Sequence, residues 1–214
     1  FAPANAGASP YPAGAPVIAF SGAMDYWPNV DAVCWFATEL LPAIRRAMPG
    51  VRFWIVGMNP APAVQALAGE DVVVTGTVPD VRPYIAHADL VVAPLRIARG
   101  IQNKVLEAMA MARPVVLSAA PAVGLAARDG VECSIADDGD ELCRRVVELL
   151  GDPSRRAAIG AAARDCVLRA YSWSAHLRTL DWLLDAQGTD AGLAQAVQAR
   201  EGTAPNAPAL VRTP

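Results

Sequence analysis

Between positions 96 and 107 the chain gathers three cations and one acid: Arg96, Arg99, Lys104 and Glu107. They fall in two neighbouring runs. The first, Pro94-Leu95-Arg96-Ile97-Ala98-Arg99-Gly100-Ile101-Gln102-Asn103-Lys104, joins the cations to a flexible Gly100. Leaving a buried strand and entering a helix, such a run presents free backbone amides and positive side chains, which together can hold a diphosphate. The second, Val105-Leu106-Glu107-Ala108-Met109-Ala110-Met111-Ala112, is apolar except for Glu107. A carboxylate in such surroundings needs a partner, because taking it out of water unpaired is costly. Lys104, three positions earlier, lies on the same helical face. Ligand hydroxyls are the other candidate, and those of a ribose can donate charge-assisted hydrogen bonds to both carboxylate oxygens. Spacing alone leaves open whether Glu107 grips a ligand, pairs only with Lys104 or faces solvent.

The remaining reactive side chains carry weaker signals. His87 and His176 sit in no metal-ligand or nucleophile motif and read as ordinary helix positions. Cys34, Cys133, Cys143 and Cys166 are too far apart for a zinc or dithiol motif and read as reduced, core-filling thiols. Asp25 and Asn29 could touch phosphate-bound water or a sugar, but helix capping accounts for Asn29 without a ligand. Tyr26 and Trp27 read as an anchor for their turn, with packing against a sugar or another domain as the alternative.

These residues need elements to position them. The chain has 214 residues, 54% of them hydrophobic and 18% charged, enough apolar side chain for one substantial core. No apolar stretch approaches the ~20 residues of a membrane-spanning helix. The formal charge of −3 and the scattered basic residues exclude a phosphate-polymer footprint, so no nucleic-acid partner is expected. Residues 1–16 and 188–214 are rich in Ala, Pro and Gly without periodicity and read as a linker or loose segment and a disordered tail. Residues 17–187 between them form the domain.

Within it, β-branched runs predict strands at 17–21, 51–56, 72–75, 90–93, 115–118 and, more weakly, 132–136. Amphipathic stretches predict helices at 30–48, 62–68, 81–87, 103–112, 140–150, 154–170 and 174–185, with Asn29, Asp80 and Ser154 as caps. On the last helix Trp173 and Trp182 join an apolar stripe. This alternation implies an α/β class: a Rossmann-like parallel sheet with helices on both faces. Ligands of such sheets sit beyond the carboxyl ends of the strands. A receiver-type signalling module would need an acid after the third strand, where Thr75-Gly76 stands, and a dinucleotide oxidoreductase would need clustered glycines where Gly22 stands alone.

The run 104–116, Lys104-Val105-Leu106-Glu107 through Arg113-Pro114-Val115-Val116, resembles the helix-then-strand signature of family four retaining glycosyltransferases of the GT-B fold. Val56-Gly57, Val74-Thr75-Gly76-Thr77-Val78 with Asp80, and Ala88-Asp89-Leu90-Val91-Val92-Ala93-Pro94 support the resemblance, which runs over residues 17–185 and covers the C-terminal half of that fold. The stretch 20–32, Phe20-Ser21-Gly22-Ala23-Met24-Asp25-Tyr26-Trp27-Pro28-Asn29-Val30-Asp31-Ala32, is similar to sugar transferases of bacterial exopolysaccharide systems.

The resemblance implies a donor site for a nucleotide diphosphate sugar. Glu107 binds ribose, Lys104 lies near the diphosphate, Gly22 lets the backbone approach the phosphates, and the loop from Gly76 to Val78 contacts the base. The amides of Gly100, Ile101, Gln102 and Asn103 face the distal phosphate or the sugar. It further implies no metal or other cofactor, no catalytic nucleophile in this half, and an acceptor-binding N-terminal domain of the same protein. A cytoplasmic setting follows, with peripheral association with the inner membrane through the full-length protein. Two departures stand out: Arg99 replaces a second glutamate eight positions before Glu107, and Ala23 stands where many relatives carry a cationic pair. Arg96 or Arg99 could supply the missing charge, and a degenerate domain without transfer activity is the alternative.

Overall fold

The first strand, Val17–Ser21 (β1), is buried along its whole length because both faces of the sheet are covered. Alternate residues serve opposite cores. Ile18 and Phe20 join Phe36, Ile44, Phe53, Ile55 and Val116 on one side. Val17 and Ala19 join Ile85, Val91, Met109, Val115 and Leu117 on the other. This strict alternation turns a continuous apolar run into two separate helix-binding faces.

The computed structural model describes residues 1–172. The further strands are Arg52–Val56 (β2), Val72–Val74 (β3), Leu90–Ala93 (β4), Val115–Ser118 (β5) and Ser134–Ala136 (β6), and all pair in parallel in the order β3-β2-β1-β4-β5-β6. The helices are Trp27–Trp35 (α1), Leu41–Ala47 (α2), Pro62–Gln65 (α3), Arg82–His87 (α4), Asn103–Ala110 (α5), Ala119–Ala122 (α6), Gly139–Gly151 (α7) and Pro153–Ala170 (α8). Buried residues of α1, α2 and α7, with Ile159 of α8, cover one face, and those of α4 and α5, with Ala163 and Cys166 of α8, the other. The expected α/β architecture, a parallel sheet with helices on both faces, is therefore the one observed.

Local departures have physical causes. The expected first helix begins at Trp27, with Pro28 in its opening turn, and is interrupted by a π-type turn at Phe36–Leu40. Pro42, just beyond, has no N–H to return to Thr38, so the regular ladder cannot run through. Asn29 is not the cap: it lies inside α1, almost fully buried, with its side chain turned elsewhere. Asp152, not Ser154, caps α8 by accepting from the Arg155 amide at 2.9 Å. Asp80 accepts from the Arg82 amide at 2.9 Å, where α4 starts. The last strand begins at Ser134 because buried Glu132 is committed to a tight loop, accepting from the Arg128 amide and guanidinium. The short helix α6 has no counterpart among the expected elements.

Residues 1–16, expected as a linker or loose segment, hold one short 3-10 turn at Pro3–Asn5. The Tyr11 ring meets Trp54 edge-on at 5.0 Å, and its hydroxyl donates to the Tyr84 carbonyl. The cysteines are free thiols. The helix expected at 174–185, with His176, Trp173 and Trp182, lies outside the described residues, as does the tail at 188–214. No described helix is long and apolar enough to cross a membrane.

Candidate donor site

The sheet order reverses between β1 and β4, whose following helices α1 and α5 pack on opposite faces, so their carboxyl ends part and leave a crevice. A cleft of about 660 Å³ opens there, between the turns after β1 and β2, the loop after β3 and the start of α5.

Its floor depends on two glycines. The Gly22 amide donates to the Val56 carbonyl at 3.0 Å, pulling the turn after β1 against the end of β2. At Gly57, with φ of +150°, a Cβ would stand 1.7 Å from the Gly22 carbonyl oxygen, so no side chain fits. At Gly22, a Cβ would come within 2.7 Å of the Asn29 amide nitrogen and 3.3 Å of Lys104 Cε. Backbone is therefore exposed where a phosphate could approach closely.

Lys104 and Glu107 both line the cleft but do not form an ion pair. Side chains at the start of a helix lean toward its N-terminus. Lys104 accordingly reaches back across the crevice: Nζ donates to Asn29 Oδ1 at 2.5 Å and lies 4.7 Å from the centre of the buried Phe20 ring. Burial lowers its pKa from the usual lysine range to about 8, against the smaller opposing pull of Glu107. Burial likewise pushes the Glu107 carboxyl above its ordinary value, against the attraction of Lys104 and, less, of the Phe1 amino terminus. Among the described residues the Glu107 carboxylate accepts no hydrogen bond, leaving both oxygens for hydroxyls in the cleft.

Of the residues singled out from the sequence, Gly22, Val78, Ile101, Gln102, Asn103, Lys104 and Glu107 meet along this cleft. Arg96 does not: its guanidinium forms a forked bond to Asp31 and stacks over Trp35 at 5.3 Å, so the cation is spent tying its loop to α1. Arg99 and Gly100 lie on the exposed loop outside the lining, their carbonyls accepting from Gln102 Nε2 at 3.2 Å each. Gly76 sits one step behind the lining and, with φ of +67°, makes the turn that brings Thr77 and Val78 forward.

Sequence reasoning missed Ser21, Met58 and the part played by Asn29, while Thr77 lies in the Gly76 to Val78 loop it did mark. Ser21 lines the cleft at 5% exposure, and its hydroxyl has no hydrogen-bond partner among the described residues. Its place as the last residue of β1, directly before Gly22, was the available signal. Asp80 also lines the cleft, its carboxylate gripped by the Arg82 guanidinium at 2.7–3.0 Å, which holds its pKa below the usual carboxylate range.

The strand order, with an acid and a cation both lining the cleft where it reverses, defines the class: a doubly wound α/β domain whose cleft lies where such folds take their ligands. Residues 15–152 match the family described as Glycosyl transferases group 1, and the chain belongs to that family. It is 32% identical over 149 residues to the GDP-mannose-dependent alpha-(1-6)-phosphatidylinositol monomannoside mannosyltransferase of Mycolicibacterium smegmatis, the match covering 62% of this chain and 39% of that relative.

Solved structures share the fold. Anabaena Alr3699/HepE, in complex with UDP and glucose, has a TM-score of 0.66 at 20% identity, over 81% of this chain and 49% of its own. Sucrose-phosphate synthase from Thermosynechococcus elongatus has a TM-score of 0.63 at 20% identity, over 83% of this chain and 47% of its own. The chain thus spans about half, or less, of the proteins it matches.

Proposed function

We propose that this cleft binds the nucleotide diphosphate sugar donor of a retaining glycosyltransferase, and that residues 17–187 are the donor half of a two-domain enzyme. The observation that carries the reading is the Glu107 carboxylate, which accepts no hydrogen bond from the described residues, facing the same cleft as the Lys104 amine and the Gly22 turn. In this reading Glu107 accepts from ribose hydroxyls, and Lys104 with the backbone at Gly22 meets the diphosphate. The amides of Ile101, Gln102 and Asn103 face the distal phosphate or sugar, and Val78 faces the base.

The reaction breaks the bond between the sugar's anomeric carbon and the terminal phosphate oxygen. It makes one to an acceptor hydroxyl oxygen, whose proton passes to the departing phosphate oxygen. Lys104 and the amides stabilise the charge that grows on the departing nucleotide diphosphate. The relative's GDP-mannose and the UDP of the HepE complex point to different bases, and titration with both nucleotides decides between them. The acceptor domain belongs to the other half of the protein. Exposed Tyr26, Met58, Ile97 and Ile101 on loops at this end of the sheet, with Trp27 at the start of α1, support a second domain facing the cleft. The similarity of residues 20–32 to exopolysaccharide-associated transferases supports a role in bacterial cell-surface glycan synthesis.

A second reading, a domain that has lost efficient donor use, draws on Ala23 and on Arg99 lying outside the cleft. Calorimetric titration with UDP and GDP separates the two. Saturable binding of either, weakened in Glu107→Ala, supports the donor site. No binding of either favours the degenerate domain.

A further inference from the structure

The chain carries 18 cationic residues, and Lys104 is the only lysine. Among the described residues it is also the cationic side chain in the lining of the cleft, since Arg96 is tied to Asp31 and Arg99 lies outside that lining. The turn after β1 contributes none of its own, with Ala23 beside Gly22. Lys104 belongs to α5, yet its amine sits over that turn. A four-carbon stem has many rotamers, and holding it in one place costs conformational entropy. Something must fix it there.

Asn29 meets the requirements. It is 4% exposed and held in α1. Its Nδ2 donates to the Ala23 carbonyl at 2.9 Å, which orients the amide so that Oδ1 faces Lys104 Nζ. An amide can do this where a carboxylate could not, because it accepts from the ammonium without neutralising it, and the positive charge stays available to an anion. The ring of Phe20 below the amine gives a second neutral contact of the same kind. The absence of a side chain at Gly22 leaves the space that both Asn29 and Lys104 occupy.

We propose that Asn29 is the positioning residue of the donor site: it holds the chain's sole lysine over the turn after β1, so that the cation serving the diphosphate is delivered from α5 instead of from the turn itself. The inference rests on the donor reading above for its ligand, while the tie between Asn29 and Lys104 is testable without one.

Lysine labelled with 13C at Cε supplies a single side-chain resonance, whose pH titration reports Lys104 directly. Asn29→Asp places an opposite charge on the amine and is expected to raise its midpoint by about one pH unit or more. Asn29→Ala removes the acceptor and lowers the midpoint. Both variants weaken UDP and GDP binding, roughly tenfold for Asn29→Ala by loss of one hydrogen bond to a charged group. The exchange variant Asn29→Lys with Lys104→Asn returns an amine to the same place from α1 and recovers part of the affinity lost in Lys104→Asn alone, an outcome that a merely structural asparagine would not produce. Unchanged midpoints in both single variants, or undiminished binding in Asn29→Ala, overturn the proposal. Shifted midpoints in a chain that binds neither UDP nor GDP overturn the donor reading and leave the tie standing.

Discussion

At the scale of single residues, the cleft holds its two charges at a cost that a ligand can relieve. The folded-state pKa of Lys104 is depressed, so its contribution to stability is present above the unfolded value of about 10.4 and is lost as pH falls through about 8. Near neutrality the free chain therefore carries a buried ammonium at a loss. A bound diphosphate favours the charged form, so binding near pH 8.5 should take up a proton. Calorimetry in buffers of different ionisation enthalpy measures that uptake, and Lys104→Met should abolish it. Glu107 is shifted the other way, with a folded pKa above its unfolded one. Its stabilising contribution is complete below about pH 4.3 and is lost as pH rises through the folded value. Glu107→Gln should thus stabilise the free chain at pH 7, seen as a higher melting temperature. The same change should weaken nucleotide binding about 10- to 100-fold, the worth of charged hydrogen bonds to ribose.

Elements place these residues by backbone chemistry. Helix α5 ends in a Schellman arrangement, the Ala112 amide bonding to the Met109 carbonyl at 2.9 Å and the Arg113 amide to the Ala108 carbonyl at 3.0 Å. The left-handed position is Ala112, with φ of +56°, where glycine is the usual occupant. Ala112→Gly should raise stability by about 1 kcal/mol in denaturant unfolding. Gly160 on α8 admits that same turn: a Cβ there would stand 2.3 Å from the Ala112 carbonyl oxygen. Gly160→Ala should push α8 from the sheet and lower the unfolding midpoint by about 1–3 kcal/mol in free energy. Helix α7 starts at Asp138, which accepts from the Glu141 amide at 2.8 Å while Glu141 accepts from the Asp137 amide at 2.9 Å. Asp138→Ala should cost about 1 kcal/mol without touching nucleotide affinity.

Over the whole molecule, the reversal in strand order turns these local arrangements into one cleft. Binding confined to the folded state stabilises it by mass action, so UDP or GDP at a hundred times its Kd should add about 2.7 kcal/mol and raise the melting temperature. Glu107→Ala should lose most of that gain at the same nucleotide concentration, separating site occupancy from non-specific ion effects.

By itself the sequence determined the alternation of strands and helices, because the period of apolar residues sets which faces can be buried. It also marked Glu107 and Lys104, because an acid in an apolar run and a cation beside it are legible without coordinates. Only the tertiary structure decided which cations count. Arg96, Arg99 and Lys104 are equivalent in a string of letters. Packing sends Arg96 to Asp31 and Trp35 on α1, leaves Arg99 on the surface, and swings Lys104 across the crevice to Asn29. The tie from Asn29 to Lys104 was likewise out of reach, since it joins α1 to α5 across the crevice. Such contacts join residues far apart in the chain, and no local period or propensity encodes them.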